Sequence, residues 1–392
     1  CHISVIIFWL SVNVSSMVFA KEDENRAVMN TKVTIKDVAV RAGCSIATVS
    51  RVLNKSGPAS AASRERVIAA AGELGFQFNE LGRSLQSQRT RTIGVIVPTL
   101  ANPVFADAIE GIQATADDSG YQMLLNCANY DPAREEQCLS TLLGKQVDAV
   151  ILTVSDPATS ETLASLRGLA LPYCLIFNQN AGDGHPEVGV DNTAAADIVG
   201  DVLVTHGHRN VAFVAVRFAT SDRSRQRYAG LCQAMTRAGC AEPQLLEVDY
   251  EPKNLELALA GLLAREPQTT ALFASNDMLA LACIRGLRAL GKNVPDDISV
   301  IGFDGISIGD LVDPSLATIV TPGREMGRQA AEMMITALET NGRAARESRA
   351  LSFTFRPGGS LAPRATGTPA GERSLPRRST SQLHLITNRR SE

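Results

Sequence analysis

The chain has 392 residues, 45% of them hydrophobic and 20% charged; this excludes disordered and collagen-like classes and leaves room for two or three packed units. Net charge is only −3, yet residues 31–92 carry ten Lys/Arg against four Asp/Glu, and residues 93–361 carry twenty against thirty-two. A small basic head on a large acidic body implies that the head, not the body, meets an anion.

Residues 3–14 form an apolar run too short to span a bilayer. With Val18 and Ala20 before Lys21 it mimics a secretory signal, but the basic n-region is missing. Met29 directly precedes the first well-patterned segment, so residues 1–28 are expected to be a non-native or dispensable leader. Thr34 is placed to N-cap a helix over 35–42, with Asp37 completing a capping box. Ile35, Val38, Ala39 and Ala42 share one face, and Gly43 ends the helix. Ser45 caps a second helix over 46–54, with Val49, Val52 and Leu53 inward and Ile46, Ala47, Ser50 and Arg51 outward. A third helix over about 61–74, closed by Gly75, covers the pair with Val67, Ala70, Ala71 and Leu74. Two short helices joined by a Gly-containing turn make the helix-turn-helix unit that reads a DNA major groove.

The segment V-T-I-K-D-V-A-x-x-A-G-C-S-x-x-T-V-S-R-V-L-N (33–54), followed by S-R-E-R-V (63–67), E-L-G-F (73–76) and Asn79 to Gln88, resembles the N-terminal signature of the lactose-repressor (LacI) family of bacterial transcription regulators. The resemblance extends over about 31–360. It implies that Ile46 and Ala47 are the variable base-reading pair and that Arg51 reaches a base edge. Arg suits guanine O6/N7, whereas Ile and Ala can touch thymine methyls or read by shape. It places Thr34, Ser45, Thr48, Ser50 and Asn54 at phosphate-contacting or capping positions. Asn79 to Ser87 matches a hinge that becomes helical on DNA, with Leu85 as the wedge into the minor groove. Two departures stand out: Phe78 replaces a common proline before the hinge, and Gly82 lowers helix propensity by about 1 kcal/mol relative to Ala.

The body alternates apolar strands with helices. Strands are expected at 92–98, 121–126, 147–154 and 172–177; a second series begins near Thr193, with strands at 211–216, 245–248, 270–274 and 298–303. Such alternation predicts an α/β body of two doubly wound parallel-sheet subdomains, and the resemblance makes them of the periplasmic-binding-protein type. Ligands in such sheets bind outside the carboxyl ends of the strands. There the chain carries Asp191 and Asn192 after V-G-V, Arg225 and Arg227 in R-Q-R-Y-A-G, Asn276 and Asp277, and Asp304. Each alone reads as a helix cap, the preferred reading for Asn192 and Asp277; as a set they offer the bidentate hydrogen bonds that hydroxylated ligands need. The resemblance implies that Arg227, Asn276 and Asp304 hold a small molecule and that Phe105 lines its pocket. Where the family often has Asp-Arg after the fourth strand, Phe177 and Asn178 stand here.

The eight cysteines are never closer than eight positions, so no C-x-x-C pair exists for zinc or redox work and a reducing compartment is implied. His206 and His208 read as a polar helix end capped by Gly207 rather than as ligands of a metal. G-I-S-I-G (305–309) matches a nucleophile-elbow pattern, but the order Ser, acid, His would leave only His384, in a Ser/Thr/Pro/Arg-rich stretch over 362–392 expected to be disordered. No nucleotide-binding glycine motif occurs, so neither catalysis nor a cofactor is indicated.

The domains are thus expected to be a leader (1–28), a helix-turn-helix head (29–78), a hinge helix and linker (79–91), an effector-binding and dimerisation body (92–361) and a tail (362–392). The expected function is a cytoplasmic repressor, a homodimer on a pseudo-palindromic operator and free of the membrane. Its DNA affinity is switched by a sugar or sugar acid. The stretches S-F-T-F-R-P-G-G-S-L (352–361) and V-F-A-D-A-I-E-G-I (104–112) resemble the gluconate-type branch. The competing reading is an exported solute-binding protein with the same body, which has no use for a basic helix-turn-helix.

Overall fold

A computed structural model describes residues 33–54, 57–76, 89–179, 184–340 and 348–364. The leader, the hinge residues Asn79 and Leu85, and the tail beyond 364 lie outside the described residues. The chain divides into two compact units, residues 1–88 and 89–392.

In the first unit, α1 (Ile35–Ala42), α2 (Ile46–Asn54) and α3 (Ala61–Glu73) enclose a core of Val38, Ala39, Ala42, Val49, Val52, Val67 and Ala70. Local chemistry sets the boundaries. The Thr34 N–H donates to Asp37 Oδ2 at 2.8 Å, and Gly43 takes φ +60°, a left-handed conformation that lets the chain turn out of α1. Ser45 Oγ accepts the Thr48 N–H at 3.1 Å, and Ser60 Oγ accepts the Ser63 N–H at 3.2 Å, starting α2 and α3.

The second unit contains two six-stranded sheets among the described residues. The first is built from β1 (Thr92–Val97), β2 (Gln122–Cys127), β3 (Ala149–Leu152), β4 (Tyr173–Ile176), β5 (Glu187–Gly189) and β11 (Arg349–Ala350), in the order β11-β5-β4-β3-β1-β2. The second contains β6 (Val211–Val216), β7 (Gln244–Val248), β8 (Ala271–Ala274), β9 (Ser299–Asp304), β10 (Ala317–Val320) and β12 (Thr354–Arg356), in the order β12-β10-β9-β8-β6-β7. All pairs are parallel except β10 with β12. In each sheet the first strand pairs on both sides, so the chain winds outward in both directions and leaves a switch point beside β1 and β6.

The intervening helices are α4 (Pro103–Asp118), α5 (Pro132–Gly144), α6 (Glu161–Arg167), α7 (Asn192–Thr205), α8 (Asp222–Arg237), α9 (Leu255–Arg265), α10 (Asp277–Ala289), α11 (Ile308–Leu311) and α12 (Gly323–Glu339). Eight strands fall within a few residues of the ranges expected from apolar runs: six are almost fully buried stretches, and β2 and β7, at the sheet edges, are half-buried. The two series are not, however, two consecutive blocks. After β10 the chain returns to the first subdomain: α12 packs on α4, β11 joins β5, and β12 then goes back to β10. The return is fixed by glycine. A Cβ on Gly327 would lie 1.9 Å from the Ala108 carbonyl oxygen, and one on Gly111 would lie 2.0 Å from that of Arg324. The two subdomains are therefore interleaved, and the carboxyl ends of their strands meet at a common cleft.

Candidate functional site

On the head, the outward face of α2 presents Ile46 (46% exposed), Ala47 and Arg51, while Thr48 and Ser50 are half-buried. Arg51 Nε donates to the Ala47 carbonyl at 3.2 Å, which lays the side chain along the helix toward its N-terminal end. Ser45 and Thr48 exchange a 2.9 Å hydroxyl hydrogen bond besides the cap. Thr34 is exposed, and its hydroxyl donates to Asp37 Oδ2 at 2.7 Å. Asn54 closes α2. The face thus carries one long cation amid small apolar and hydroxylated groups.

In the body, Arg227 is the centre of a buried polar cluster. Its Nε donates to Asn192 Oδ1 at 2.9 Å, its Nη1 donates to the Ser275 carbonyl, and Nη1 stands 3.9 Å from Asp304 Oδ1. The guanidinium lies 3.5 Å over the centroid of the Phe303 ring, a cation–π contact. Asp304, only 6% exposed, accepts Asn102 Nδ2 on Oδ2 at 2.7 Å. Asn102 follows β1, so this bond joins the two subdomains, whereas Arg227 and Asp304 both belong to the second. Across the subdomain boundary, the partner of Asp304 is Asn102 rather than Arg227. Asp304 has φ +122°, a strained value for a residue with a side chain. Burial pushes its carboxyl up to about 7 despite the Arg227 charge, with Asp277 adding repulsion. Burial pulls Arg227 down to about 10, with Asp304 opposing and Arg223 adding.

Two adjacent pairs exchange the tasks expected for them. Asp191, read as a pocket residue, N-caps α7 by accepting the Ala194 N–H at 2.8 Å, and Asn192, read as the cap, orients Arg227 instead. Asn276 caps α10 by accepting the Leu279 N–H at 2.8 Å. Asp277, read as a cap, takes the Gly305 and Ile306 N–H groups at 2.8 Å each and the Thr318 hydroxyl at 2.6 Å; it therefore holds the turn that follows Asp304. Phe105 and Phe177 come together edge-to-face at 4.9 Å and form an apolar wall. Asn178 reaches the cleft with its amide engaged: Oδ1 accepts the Val154 N–H, and Nδ2 donates to the Val154 carbonyl and to Asp222 Oδ1, all at 2.9 Å.

Besides Asn102, sequence reasoning passed over four cleft residues. Asp222 and Arg223, at the start of α8, are both buried; Arg223 Nη1 donates to the Val154 carbonyl at 3.0 Å and to Asp222 Oδ1 at 2.9 Å. Burial pushes the Asp222 carboxyl up, against the attraction of Arg223. Tyr130 and Tyr250, one from each subdomain, stack with centroids 4.8 Å apart, within electrostatic reach of Asp304. Arg225, by contrast, turns outward to Asp156 at 2.8 Å. The signal for Arg223 was the three-arginine run R-S-R-Q-R, in which positions 223 and 227 share a helix face. His206 and His208 are structural: His206 Nδ1 contacts the Val202 carbonyl at 2.8 Å, and His208 bridges Thr270 and the Ala362 carbonyl at 2.9 and 3.1 Å. Ser307 is exposed in an ordinary right-handed turn conformation, not a strained elbow. Guanidinium, carboxylate and amide groups converging between two aromatic walls are equipped to hydrogen-bond a small hydroxylated molecule.

Comparison with known proteins matches both units. Residues 34–79 match the family described as bacterial regulatory proteins, lacI family, and residues 90–355 match periplasmic binding proteins and sugar binding domain of LacI family. The HTH-type transcriptional regulator GntR of Escherichia coli (strain K12) is 32% identical over 328 residues, covering 83% of this chain and 98% of that one. A LacI-family transcriptional regulator from Silicibacter pomeroyi, of known crystal structure, has a TM-score of 0.73 at 28% identity, over 84% of this chain and 99% of that one. The transcriptional regulator CelR in complex with cellobiose has a TM-score of 0.63 at 26% identity, over 84% of this chain and all of that one.

Proposed function

Because the chain belongs to the LacI family of bacterial regulatory proteins, we propose that it is a cytoplasmic DNA-binding repressor whose operator affinity is set by a small molecule in the cleft of its body. In this reading residues 29–78 read DNA, 79–91 form the hinge and linker, and 92–361 bind the effector and pair two copies. Arg51 takes a base edge, with Ile46 and Ala47 beside it. Thr34, Ser45, Thr48, Ser50 and Asn54 set the phosphate register, and Asn79 and Leu85 act in the hinge. Two heads on a homodimer address a pseudo-palindromic site. The effector is a sugar or sugar acid, held by Arg227 and Asp304 against Phe105 and Phe177. Asn178, Asp191 and Asn276 frame the site from the strand and helix ends that they fix.

The observation that carries this reading is the Asn102–Asp304 bond beside Arg227, a polar contact that joins the subdomains where the ligand would lie. A ligand shifts an equilibrium only by its differential affinity for the two states, and groups that meet only when the cleft closes supply such a difference. The regulator reading is favoured over an exported binding protein by the match of residues 34–79, which a solute-binding body does not require. The test uses DNA selected in vitro for binding and a panel of sugars and sugar acids screened by thermal shift. Arg227→Ala should weaken the best ligand ten- to a hundredfold, about 1.4–2.7 kcal/mol, while the ligand-free affinity for selected DNA stays within a factor of two or so. Undiminished ligand binding in this variant would move the site elsewhere.

A further inference from the structure

We infer that Asp222 and Arg223 form a specificity element that takes a neutral hydroxyl group of a polyhydroxylated ligand and turns a carboxylate away from that end of the cleft. The inference rests on the reading of the cleft as an effector site. Its basis is a pair of unmade hydrogen bonds. Arg223 uses Nη1 on the Val154 carbonyl and on Asp222 Oδ1, and Asp222 Oδ1 also accepts Asn178 Nδ2. Arg223 Nη2 and Asp222 Oδ2 are buried without a hydrogen-bond partner among the described residues, in residues 4% and 2% exposed. Native interiors leave few polar atoms unpaired, and least of all charged ones, so a guest that supplies both bonds is the expected complement.

The chemistry of that guest follows from the two atoms. Nη2 can only donate, and a carboxylate oxygen that already accepts two hydrogen bonds on its sister atom is placed to accept again. A hydroxyl accepts from the first and donates to the second. A carboxylate would accept from Nη2 but offer no proton to Oδ2, and it would set two anions together. An ammonium would leave Nη2 unsatisfied. Arg223 stands where the subdomains meet, because its Nη1 reaches from α8 to the Val154 carbonyl that follows β3. Positions 223 and 227 lie one helical turn apart on one face of α8, about 6 Å along the axis, which is the reach of a short polyol chain. A sugar acid therefore lies with a hydroxylated end at Asp222–Arg223 and its carboxylate toward Arg227.

The experiment compares three six-carbon probes on the full-length protein by calorimetry: D-glucitol with no carboxylate, D-gluconate with one, and D-glucarate with one at each end. The parent protein should bind D-glucarate at least tenfold more weakly than D-gluconate. Asp222→Asn keeps the oxygen that serves Asn178 and Arg223 and replaces Oδ2 with an N–H donor, so the glucarate-to-gluconate ratio of Kd values should fall at least tenfold. Arg223→Lys keeps the charge and removes Nη2; it should weaken D-glucitol and D-gluconate alike by about tenfold. An unchanged ratio in the Asp222 variant, equal binding of D-glucarate and D-gluconate by the parent, or undiminished binding by the Arg223 variant would overturn the inference. Failure of the parent to bind any of the three would instead reject the sugar-acid reading beneath it.

Discussion

Replacing Asp304 with Asn should make the body more stable, and the gain should grow with pH in a defined way. The Asp304 carboxyl titrates at about 7 in the folded protein, against an ordinary 3.8 in the unfolded chain. Between those values the folded state keeps a proton that the unfolded state has released, so stability falls as pH rises. The contribution is fully present below 3.8 and lost once pH passes about 7. A difference of about 3 pH units corresponds to roughly 4 kcal/mol. Asn mimics the protonated form and can still accept Asn102 Nδ2 on its carbonyl. The lost attraction to Arg227 is already contained in the raised value, because that attraction lowers it. The stability difference between variant and parent should therefore rise from about 1.6 kcal/mol at pH 5 to about 4 kcal/mol above pH 7. Asp222 and Glu135 are also raised by burial, but they titrate in both proteins and cancel in the difference, whereas relief of the Asp277–Asp304 repulsion acts in the same direction as the gain. Urea melts of parent and variant at half-unit steps from pH 5 to 8.5 measure it directly. A difference that stays flat across this range, or a parent that gains stability through pH 7, would refute the argument.

Arg51→Ala should lose about 1–3 kcal/mol of discrimination at one base position per half-site, seen as a smaller ratio of selected-site to random-DNA affinity. Gly327→Ala should destabilise the body by about 1–3 kcal/mol or more, because its Cβ would meet the Ala108 carbonyl oxygen at 1.9 Å and force α12 from α4. A thermal melt unchanged from the parent would show that the two helices are free to separate.

What the sequence disclosed was set by range. The head was legible almost to the residue, because Thr34 with Asp37, Gly43 and Ser45 act within four positions of themselves. Buried strands such as Val211–Val216 were legible as unbroken apolar runs. Glu187–Gly189, Arg349–Ala350 and Thr354–Arg356 were not, being two or three residues long and too short to show a period. The return of α12 to the first subdomain depends on Gly111 and Gly327, whose meeting is decided 216 positions apart. The reversed tasks of Asp191 with Asn192, and of Asn276 with Asp277, have a single cause. Neighbouring Asp and Asn are equally good caps, and only the direction in which the strand enters the helix selects which one turns inward.

Asn102 combines both kinds of interaction, and a double-mutant cycle can separate them. Its Oδ1 accepts the Val104 N–H at 3.3 Å and starts α4, while its Nδ2 crosses the cleft to Asp304. Asn102→Ser keeps a capping hydroxyl but is too short to reach the carboxylate, so it removes only the crossing bond. Combined with Asp304→Ala, it should show a coupling energy of about 1.5–3 kcal/mol at pH 8, the range for a hydrogen bond to a charged group. At pH 5 the carboxyl is protonated, and the coupling should drop toward the neutral range of about 0.5–1.5 kcal/mol. Coupling below about 0.3 kcal/mol at both pH values would mean that this bond does not help to hold the subdomains together, leaving that to packing and to the bonds of Asp222, Arg223 and Arg225. A coupling that follows the protonation of Asp304 would place a pH-dependent share of the closing free energy in this cross-cleft bond. Any ligand that competes for that carboxylate, or completes its shell, would then bias closure by an amount on the order of that bond, and at 1.4 kcal/mol per factor of ten it is enough to change a regulator's occupancy of DNA.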